Sequence, residues 1–456
     1  MSGFNGLSGV SDLPADNTGR TSRLFILLAA IAVVLTSVCF IYELAHPSCH
    51  LCDDENYRIF AQRLVDGGAI SERMLSIRTY GYPVLLTPFI FLGHSNSLLT
   101  AVLIAAAQLG TYLLSAWILY RVVCHRYSIH AGRLILTGLL CNYLAFPYLG
   151  LSLTDAPSLT IALLALSAML VLLSESEKDT PVRCASMSAG LGFLIGFGIM
   201  VRPGNIHWIP ALLAVLIFII VRSRQKSSAL FLPVLAGFIL AITPQFILNA
   251  IHFHRYTFLP IYDLSALQFD AGVRYLKYTS YLTGTHPDMP YLNPWYTGTG
   301  SATLRWYFQH PLNGVKTIFF HFFGALDFDQ LFPYVYNLNP WYRPLLFIYS
   351  HTVIYWGVIG YVLIARRACS KGFQSHETIA ATLITVYAGS WCAVYALTAV
   401  ENRFAIPVIT ILVPLALFAL THEFEKHNKA LGLALFAVYL FSAGYLSYRL
   451  SLVRMT

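Results

Sequence analysis

Residues 49–83 read CHLCDDENYRIFAQRLVDGGAISERMLSIRTYGYP, a dense polar segment in a chain that is otherwise largely apolar. The segment follows an apolar run over 24–42 and contains the acidic triplet Asp53, Asp54 and Glu55 together with several arginines. A polar segment tied to a membrane-bound chain indicates chemistry at the membrane surface. Its function therefore depends on which side of the membrane it faces, and on which other groups reach that side.

The composition defines the class of protein. The 456 residues are 57% hydrophobic and 11% charged, with a mean hydropathy of +0.63, whereas soluble proteins average about 25% charged residues. These values exclude a water-soluble protein and predict an all-α polytopic membrane protein without a nucleic-acid partner. The eight cysteines are scattered apart from Cys49 and Cys52. A disulfide, two free thiols and a metal site all remain open for that pair.

Long apolar runs predict the membrane spans. A spanning helix needs about 20 mostly apolar residues, and eleven stretches approach that length: 24–43, 97–122, 132–150, 156–174, 185–201, 207–222, 229–250, 343–365, 377–399, 405–421 and 430–448. The run over 83–93 is shorter, so we expect a surface or re-entrant helix there. Aromatic residues over 315–328 predict a further helix that lies flat on the bilayer.

Lysine and arginine in the short loops predict the orientation. With the N-terminus inside, every inside loop is basic, as the positive-inside rule requires. The chain then divides into a disordered cytoplasmic tail (1–23), an N-terminal transmembrane catalytic module (24–250) with a first external loop (44–96), an external substrate loop (251–342) and C-terminal transmembrane helices (343–456). The polar segment consequently faces outside.

The polar segment itself predicts a surface helix. Tyr57, Phe60, Ala61 and Leu64 share one helical face, and the three acids of the triplet stand at its start. Acids at a helix N-terminus are stabilising on their own account, but one acid satisfies a cap. Three in a row, directly after a membrane helix, favour a functional role.

The order of several motifs resembles the glycosyltransferase-C (GT-C) superfamily over about residues 24–421. These motifs are Asp53 four residues before Tyr57, then Ala61, Gly67-Gly68 and the turn 81–83 (GYP), followed by 154–158 (TDAPS), 201–203 (VRP), 244–245 (PQ) with Asn249, and 401–407 (ENRFAIP). Members of this superfamily include protein O-mannosyltransferases and lipid A aminoarabinose transferases. The resemblance implies an inverting transfer of a sugar from a polyprenyl-phosphate donor to a glycan, lipid or protein acceptor. The reaction would take place at the outer face of a bacterial inner membrane.

The resemblance also implies roles for individual residues. Asp53 matches the catalytic aspartate that accepts the acceptor's proton, and Asp54 competes for that role. Asp155 would orient the acceptor or, together with Asp53, hold a divalent metal such as Mg²⁺ or Mn²⁺. Arg202 and Arg403 would meet the negative charge of the lipid phosphate. Further candidates for substrate binding are Glu55, Tyr57, Arg78, Tyr82, Arg255, Arg274 and Glu401, of which Glu401 has the alternative role of a structural partner for Arg403.

Two other functions fit a polytopic chain with a charged outer face. A lipid-linked sugar transporter or flippase predicts ionisable residues near the bilayer midplane and internal repeats, whereas these charges lie toward one surface. An O-antigen ligase or polymerase would use arginines and a histidine in its outer loop. The acidic first loop favours the transferase over both alternatives.

Overall fold

The computed structural model describes residues 15–45, 53–68, 70–94, 96–175, 181–223, 227–262, 264–277, 291–298, 304–329, 342–371, 375–398, 400–424 and 429–453. Its elements are α1 (Ala15–Ala45), α2 (Asp53–Asp66), α3 (Glu72–Ile77), α4 (Gly81–Gly93), α5 (Ser97–Arg126), α6 (Ile129–Leu140), α7 (Phe146–Leu149), α8 (Asp155–Glu175), α9 (Pro181–Val201), α10 (Trp208–Ser223), α11 (Ser227–Phe253), α12 (Leu264–Arg274), β1 (Tyr275–Lys277), β2 (Tyr291–Leu292), α13 (Arg305–Gln309), α14 (Pro311–Leu326), α15 (Arg343–Lys371), α16 (His376–Tyr395), α17 (Ile406–Phe424) and α18 (Lys429–Ser451). Two 3-10 turns, Pro203–His207 and Asn402–Ala405, precede α10 and α17. Within these described ranges the protein is all-α apart from one small antiparallel pair of strands, β1 and β2.

The helices confirm the polytopic membrane architecture. Within the described ranges, nine helices are long and apolar enough to cross a membrane, and three shorter apolar helices cover Ile26–Tyr42, Gly81–Gly93 and Ile129–Leu140. α1 begins at Ala15, inside the predicted tail 1–23, because a helix extends from an established turn at little cost. Residues 1–14 lie outside the described part.

One predicted span, 132–150, is broken in the structure. α6 ends at Leu140, and a turn and the short α7 follow. Hydroxyl groups from neighbouring helices donate hydrogen bonds to the backbone carbonyl oxygens at this end of α6. Tyr112 donates to Leu139 O (2.6 Å), and Tyr349 donates to Cys141 O (2.6 Å). Pro147 also lacks the N–H that a continuous helix would need. The break allows the chain to turn and begin α8 at Asp155.

α8 lies between two hydrophobic clusters. Its residues Ala156, Leu159 and Leu163 pack into one cluster with α5, α6 and α17. On another face of the helix, Ile161 and Ala165 pack into a second cluster with α2, α4, α9 and α10. A helix that is apolar on all sides belongs in the centre of a bundle. Asp155 is the first residue of this helix, which is packed on both sides.

The first loop folds back onto the bundle through α4. Gly81 permits this close approach, because a Cβ atom there would lie 2.5 Å from the carbonyl carbon of Met200 on α9. The backbone N–H of Tyr80 donates to Gln245 Oε1 (2.9 Å), and the Tyr80 hydroxyl donates to Ala241 O. α2 packs on α4, so the acidic start of α2 is fixed relative to α9 and α11.

Candidate functional site: a cluster of six charges

Asp53 bridges two arginines from distant parts of the chain. It is the first residue of α2, Arg78 follows α3, and Arg403 lies in the turn before α17. One carboxylate oxygen, Oδ1, is paired with Arg78 Nη2, and the other, Oδ2, accepts from Arg403 Nη2 at 3.1 Å. The structure thus joins the first loop to the segment 401–407.

These arginines set the protonation state of Asp53. Burial alone would raise the pKa of Asp53, but the charges of Arg403 and Arg78 outweigh burial and hold the pKa well below its usual range. The carboxylate is therefore ionised throughout the neutral range. It is also a weak proton acceptor for as long as both guanidinium groups hold it.

Glu401 is the second acid that contacts Arg403. Its Oε2 lies 2.8 Å from Arg403 Nε, and its Oε1 accepts from Arg403 Nη2 at 3.2 Å. Burial raises the pKa of Glu401 despite the opposing charge of Arg403. Of the two roles that the sequence left open, the geometry pairs Glu401 with Arg403.

Asp155 forms the second ion pair of the site. Its Oδ1 is paired with Arg202 Nη1, and Arg202 precedes the turn Pro203–His207. The other oxygen, Oδ2, is buried and has no hydrogen-bond partner within the described ranges. A buried carboxylate oxygen in this state is available to an incoming hydroxyl or amine donor.

The ring of Phe404 connects the two ion pairs. The guanidinium carbon of Arg202 lies 4.9 Å from the ring centroid, and that of Arg403 lies 5.5 Å from it, both within cation–π range. Tyr395 stacks on the same ring with a centroid separation of 5.3 Å. We call the resulting set the six-charge cluster, which consists of Asp53, Arg78, Asp155, Arg202, Glu401 and Arg403.

Two tyrosines support Arg78. Its guanidinium carbon lies 4.9 Å from the ring centroid of Tyr57, and Tyr82 meets the Tyr57 ring edge-on at 5.1 Å. The Tyr82 hydroxyl donates to Gln108 Oε1 (3.3 Å), and its side chain is only 1% exposed. Tyr82 therefore lies behind Tyr57, in the core, where it fixes the ring on which Arg78 rests.

Other residues expected from the sequence lie apart from these contacts. Arg274 pairs with Asp270 (2.7 Å) and packs over Tyr296. Arg255 is exposed after α11, and Glu55 is half-buried in the first turn of α2. Asp54 lies in α2, but its side chain is outside the described part of the structure, as are Cys49 and Cys52. Their roles stay predictions.

A pocket beside Asp155 and Arg202 contains residues that sequence reasoning missed. Tyr395, Asn205 and His207 line it. Asn205 Nδ2 donates to Ser158 Oγ (3.0 Å) and to Gly198 O (2.8 Å), so it locks the start of α8 to the end of α9. Asn205 stands two residues after the noted 201–203 motif, which was a usable signal. Tyr395 lies inside an apolar run and carries no such signal.

The described residues supply few ligands for a metal ion. Within the described ranges, no three His, Cys, Asp or Glu side chains stand close enough together to bind one. Asp53 and Asp155 each face guanidinium groups, whose positive charge opposes a nearby divalent cation. In this arrangement Asp53 and Asp155 do not fit Mg²⁺ or Mn²⁺.

No protein-family model matches the sequence, and a comparison with curated proteins finds no match. Among solved structures, the chain is similar to ArnT from Cupriavidus metallidurans bound to undecaprenyl phosphate, with a TM-score of 0.50 and 12% identity over 87% of this chain and 60% of that chain. The apo state of the same ArnT gives 0.49 at 12% identity (88% and 60%), and an oligosaccharyltransferase from Archaeoglobus fulgidus gives 0.46 at 12% identity (94% and 54%). The chain spans about 60% of the length of ArnT. The likeness to undecaprenyl-phosphate-bound ArnT shows a GT-C-like fold, as the order of the motifs predicted.

Proposed function

We propose that the chain is an integral membrane glycosyltransferase. It would move a sugar from a polyprenyl-phosphate donor to a glycan, lipid or protein acceptor at the outer face of the membrane, in a bacterial inner membrane. The observation that carries the proposal is the partly buried six-charge cluster, with three guanidinium groups at helix ends. A GT-C-like fold similar to a structure bound to undecaprenyl phosphate supports it.

The arginines suit a lipid phosphate. A guanidinium group presents a planar fork of N–H donors that matches phosphate oxygens. Arg78 and Arg403 converge on the two oxygens of one carboxylate, so a phosphate that replaced this carboxylate would meet both groups. As the sugar leaves, negative charge grows on the phosphate, and fixed cations stabilise that charge most strongly in a site with little water.

The carboxylates suit the acceptor. In an inverting transfer, the acceptor's nucleophilic atom bonds to the anomeric carbon as the bond from that carbon to the phosphate oxygen breaks. The nucleophile's proton passes to a carboxylate, and the electron pair of the broken bond stays with the lipid phosphate. Asp53 is the proposed proton acceptor. When the donor phosphate takes over the guanidinium groups, the pKa of Asp53 would return toward its ordinary value and its basicity would rise.

Asp155 has a complementary role in this proposal. Arg202 holds one of its oxygens, and the other is free within the described ranges and buried. We assign it to orienting the acceptor by accepting one of its hydrogen bonds. Arg202 would then stand where it stabilises both Asp155 and the leaving phosphate.

The proposal is tested by measuring binding to the full chain in lipid nanodiscs and transfer in membranes of the source strain. Undecaprenyl phosphate is the binding probe, and a radiolabelled undecaprenyl-phosphate sugar mixture supplied to membranes of the source strain reports transfer. Arg78→Ala and Arg403→Ala should each weaken phosphate binding at least tenfold, since a charged hydrogen bond contributes about 1.5–3 kcal/mol. Arg305→Ala is the control, because Arg305 is exposed on α13 outside the cluster. Wild-type affinity in both cluster variants would refute the proposal.

A further inference from the structure

A second buried polar network lies beside the six-charge cluster and is unused by the proposed reaction. Lys277, at the end of β1, is 1% exposed, and its Nζ donates to Asp329 Oδ1 (2.7 Å) and to Asp327 O (2.7 Å). The Tyr291 hydroxyl donates to the other oxygen of Asp329. Burial would raise the pKa of Asp329, but Lys277 outweighs it and lowers the pKa. Asp329 is consequently ionised.

Asp327 joins this network to two membrane helices. Its Oδ2 accepts from Ser447 Oγ on α18 (2.7 Å), and its Oδ1 lies 3.2 Å from His351 Nε2 on α15. His351 Nδ1 in turn lies 2.8 Å from the hydroxyl of Tyr439 on α18. The turn after α14 is therefore fixed to both helices.

Asn402 connects the network to Arg403, one of the arginines proposed to bind the lipid phosphate. It is buried, and its Nδ2 faces three backbone carbonyls at the end of α14: Gly324 O (3.1 Å), Ala325 O (3.0 Å) and Asp327 O (3.1 Å). Carbonyls at a helix C-terminus lack partners within the helix, and Asn402 supplies one. The Asp327 carbonyl accepts from both Lys277 and Asn402.

The residue after Asn402 is Arg403, and its backbone is anchored on both sides. On one side, the side chain of Asn402, the residue before Arg403, is bonded to the end of α14. On the other side, Trp391 Nε1 donates to Phe404 O (2.8 Å) and fixes the following residue to α16. These two anchors on either side of Arg403 fix the position of its Cα atom, from which the side chain extends.

We propose that the network of Lys277, Asp327, Asp329 and Asn402 positions Arg403 for the lipid phosphate. The proposal rests on the assignment of Arg403 to phosphate binding. A buried ion pair contributes little net stability compared with apolar packing of the same volume, so what this pair adds is a fixed geometry. Lys277, Asp327 and Asp329 thereby act on donor binding without touching the donor, and Asn402 is a positioning residue.

The test is a double-mutant cycle on affinity for undecaprenyl phosphate, measured with the full chain in nanodiscs. Asn402→Ala should weaken binding about tenfold, the scale of one lost interaction with a charged group. In an Arg403→Ala background the same substitution should change affinity less than twofold, because its effect acts through that side chain. Thermal unfolding of each variant is recorded in parallel.

Asn142→Ala is the matched control. Asn142 is also fully buried, and its Nδ2 donates to Thr410 Oγ1 (2.8 Å) within the bundle. Its loss should lower the unfolding temperature and leave phosphate affinity unchanged. An equal loss of affinity in both Asn variants, or an Asn402 effect that persists without Arg403, would overturn the proposal.

A milder variant covers failure of Asn402→Ala to fold. Ser447→Ala removes one donor to Asp327 from a half-buried position and should weaken phosphate binding about two- to threefold, only while Arg403 is present. Unchanged affinity would again refute the positioning role. A wild-type chain that does not bind undecaprenyl phosphate refutes the proposed function instead, so the two failures are distinct.

Discussion

Asp53→Asn should bind the lipid phosphate more tightly than the wild type while losing transfer. In the free protein the carboxylate already occupies Arg78 and Arg403, so a phosphate must displace it before it can use both guanidinium groups. An asparagine keeps one oxygen acceptor but has no charge. It therefore competes less with the phosphate and cannot accept the acceptor's proton.

The size of the effect follows from the contacts. Hydrogen bonds to charged groups contribute about 1.5–3 kcal/mol each. In Asp53→Asn the phosphate gains roughly one such bond that the carboxylate holds in the wild type. The Asp53 side chain is 28% exposed, so solvent screening favours the lower value. About 1.4 kcal/mol corresponds to a tenfold change in Kd. We expect about tenfold tighter binding of undecaprenyl phosphate and a loss of transfer of at least a hundredfold.

The assay is equilibrium binding of labelled undecaprenyl phosphate to the full chain in nanodiscs, followed by transfer under saturating donor. Asp66→Asn is the control, because Asp66 is exposed at the other end of α2 and accepts a hydrogen bond from Gln62 (2.9 Å). A weaker or unchanged Kd in Asp53→Asn would show that the carboxylate and the phosphate do not compete. Full transfer in that variant would show that Asp53 is not the base.

Two further predictions concern pH and packing. Burial raises the pKa of Glu401 above its ordinary 4.5. The charged form of Glu401 therefore destabilises the folded state as pH rises through the raised pKa. Phosphate affinity should rise as pH falls, because neutral Glu401 releases Arg403. Glu401→Gln should remove this slope from a titration of Kd against pH, whereas Glu72→Gln, at an exposed site on α3, should retain it. Gly81→Ala should cost about 1–3 kcal/mol of stability, because the added methyl group overpacks against Met200, and this loss should appear as a lower unfolding temperature. Gly110→Ala is the control and should be neutral, because there is open space around Gly110. Equal unfolding temperatures of the two variants would contradict the close approach of Gly81 to Met200.

Hydropathy and motif order were enough to predict most of the helices and the residues of the cluster. A pairing of Glu401 with Arg403 was one of two roles that the sequence left open, but the pairings between distant segments were not predictable, because nothing in the local sequence says that Asp53 meets Arg403 rather than Arg202. The early end of α6 was also hidden, since it depends on hydroxyl groups of Tyr112 and Tyr349 from other helices.

The second network was missed for a different reason. Lys277 falls in the predicted external loop 251–342, where a charged residue is ordinarily solvated, and only the folded chain buries it. Asn402 stood inside a noted motif, but its role depends on carbonyl groups of α14, which leave no trace in the sequence. Contacts of side chains with backbone atoms are the kind of interaction that a residue pattern does not encode.

The bridge between Asp53 and Arg403 also has a consequence for biosynthesis. The two residues are 350 positions apart, and chains grow at about 5–20 residues per second, so Arg403 is synthesised roughly 20–70 s after Asp53. During that interval Asp53 has Arg78 but lacks its second cation. A chain that stops before the turn preceding α17 never completes the cluster, and assembly of the site is therefore a late step in membrane insertion.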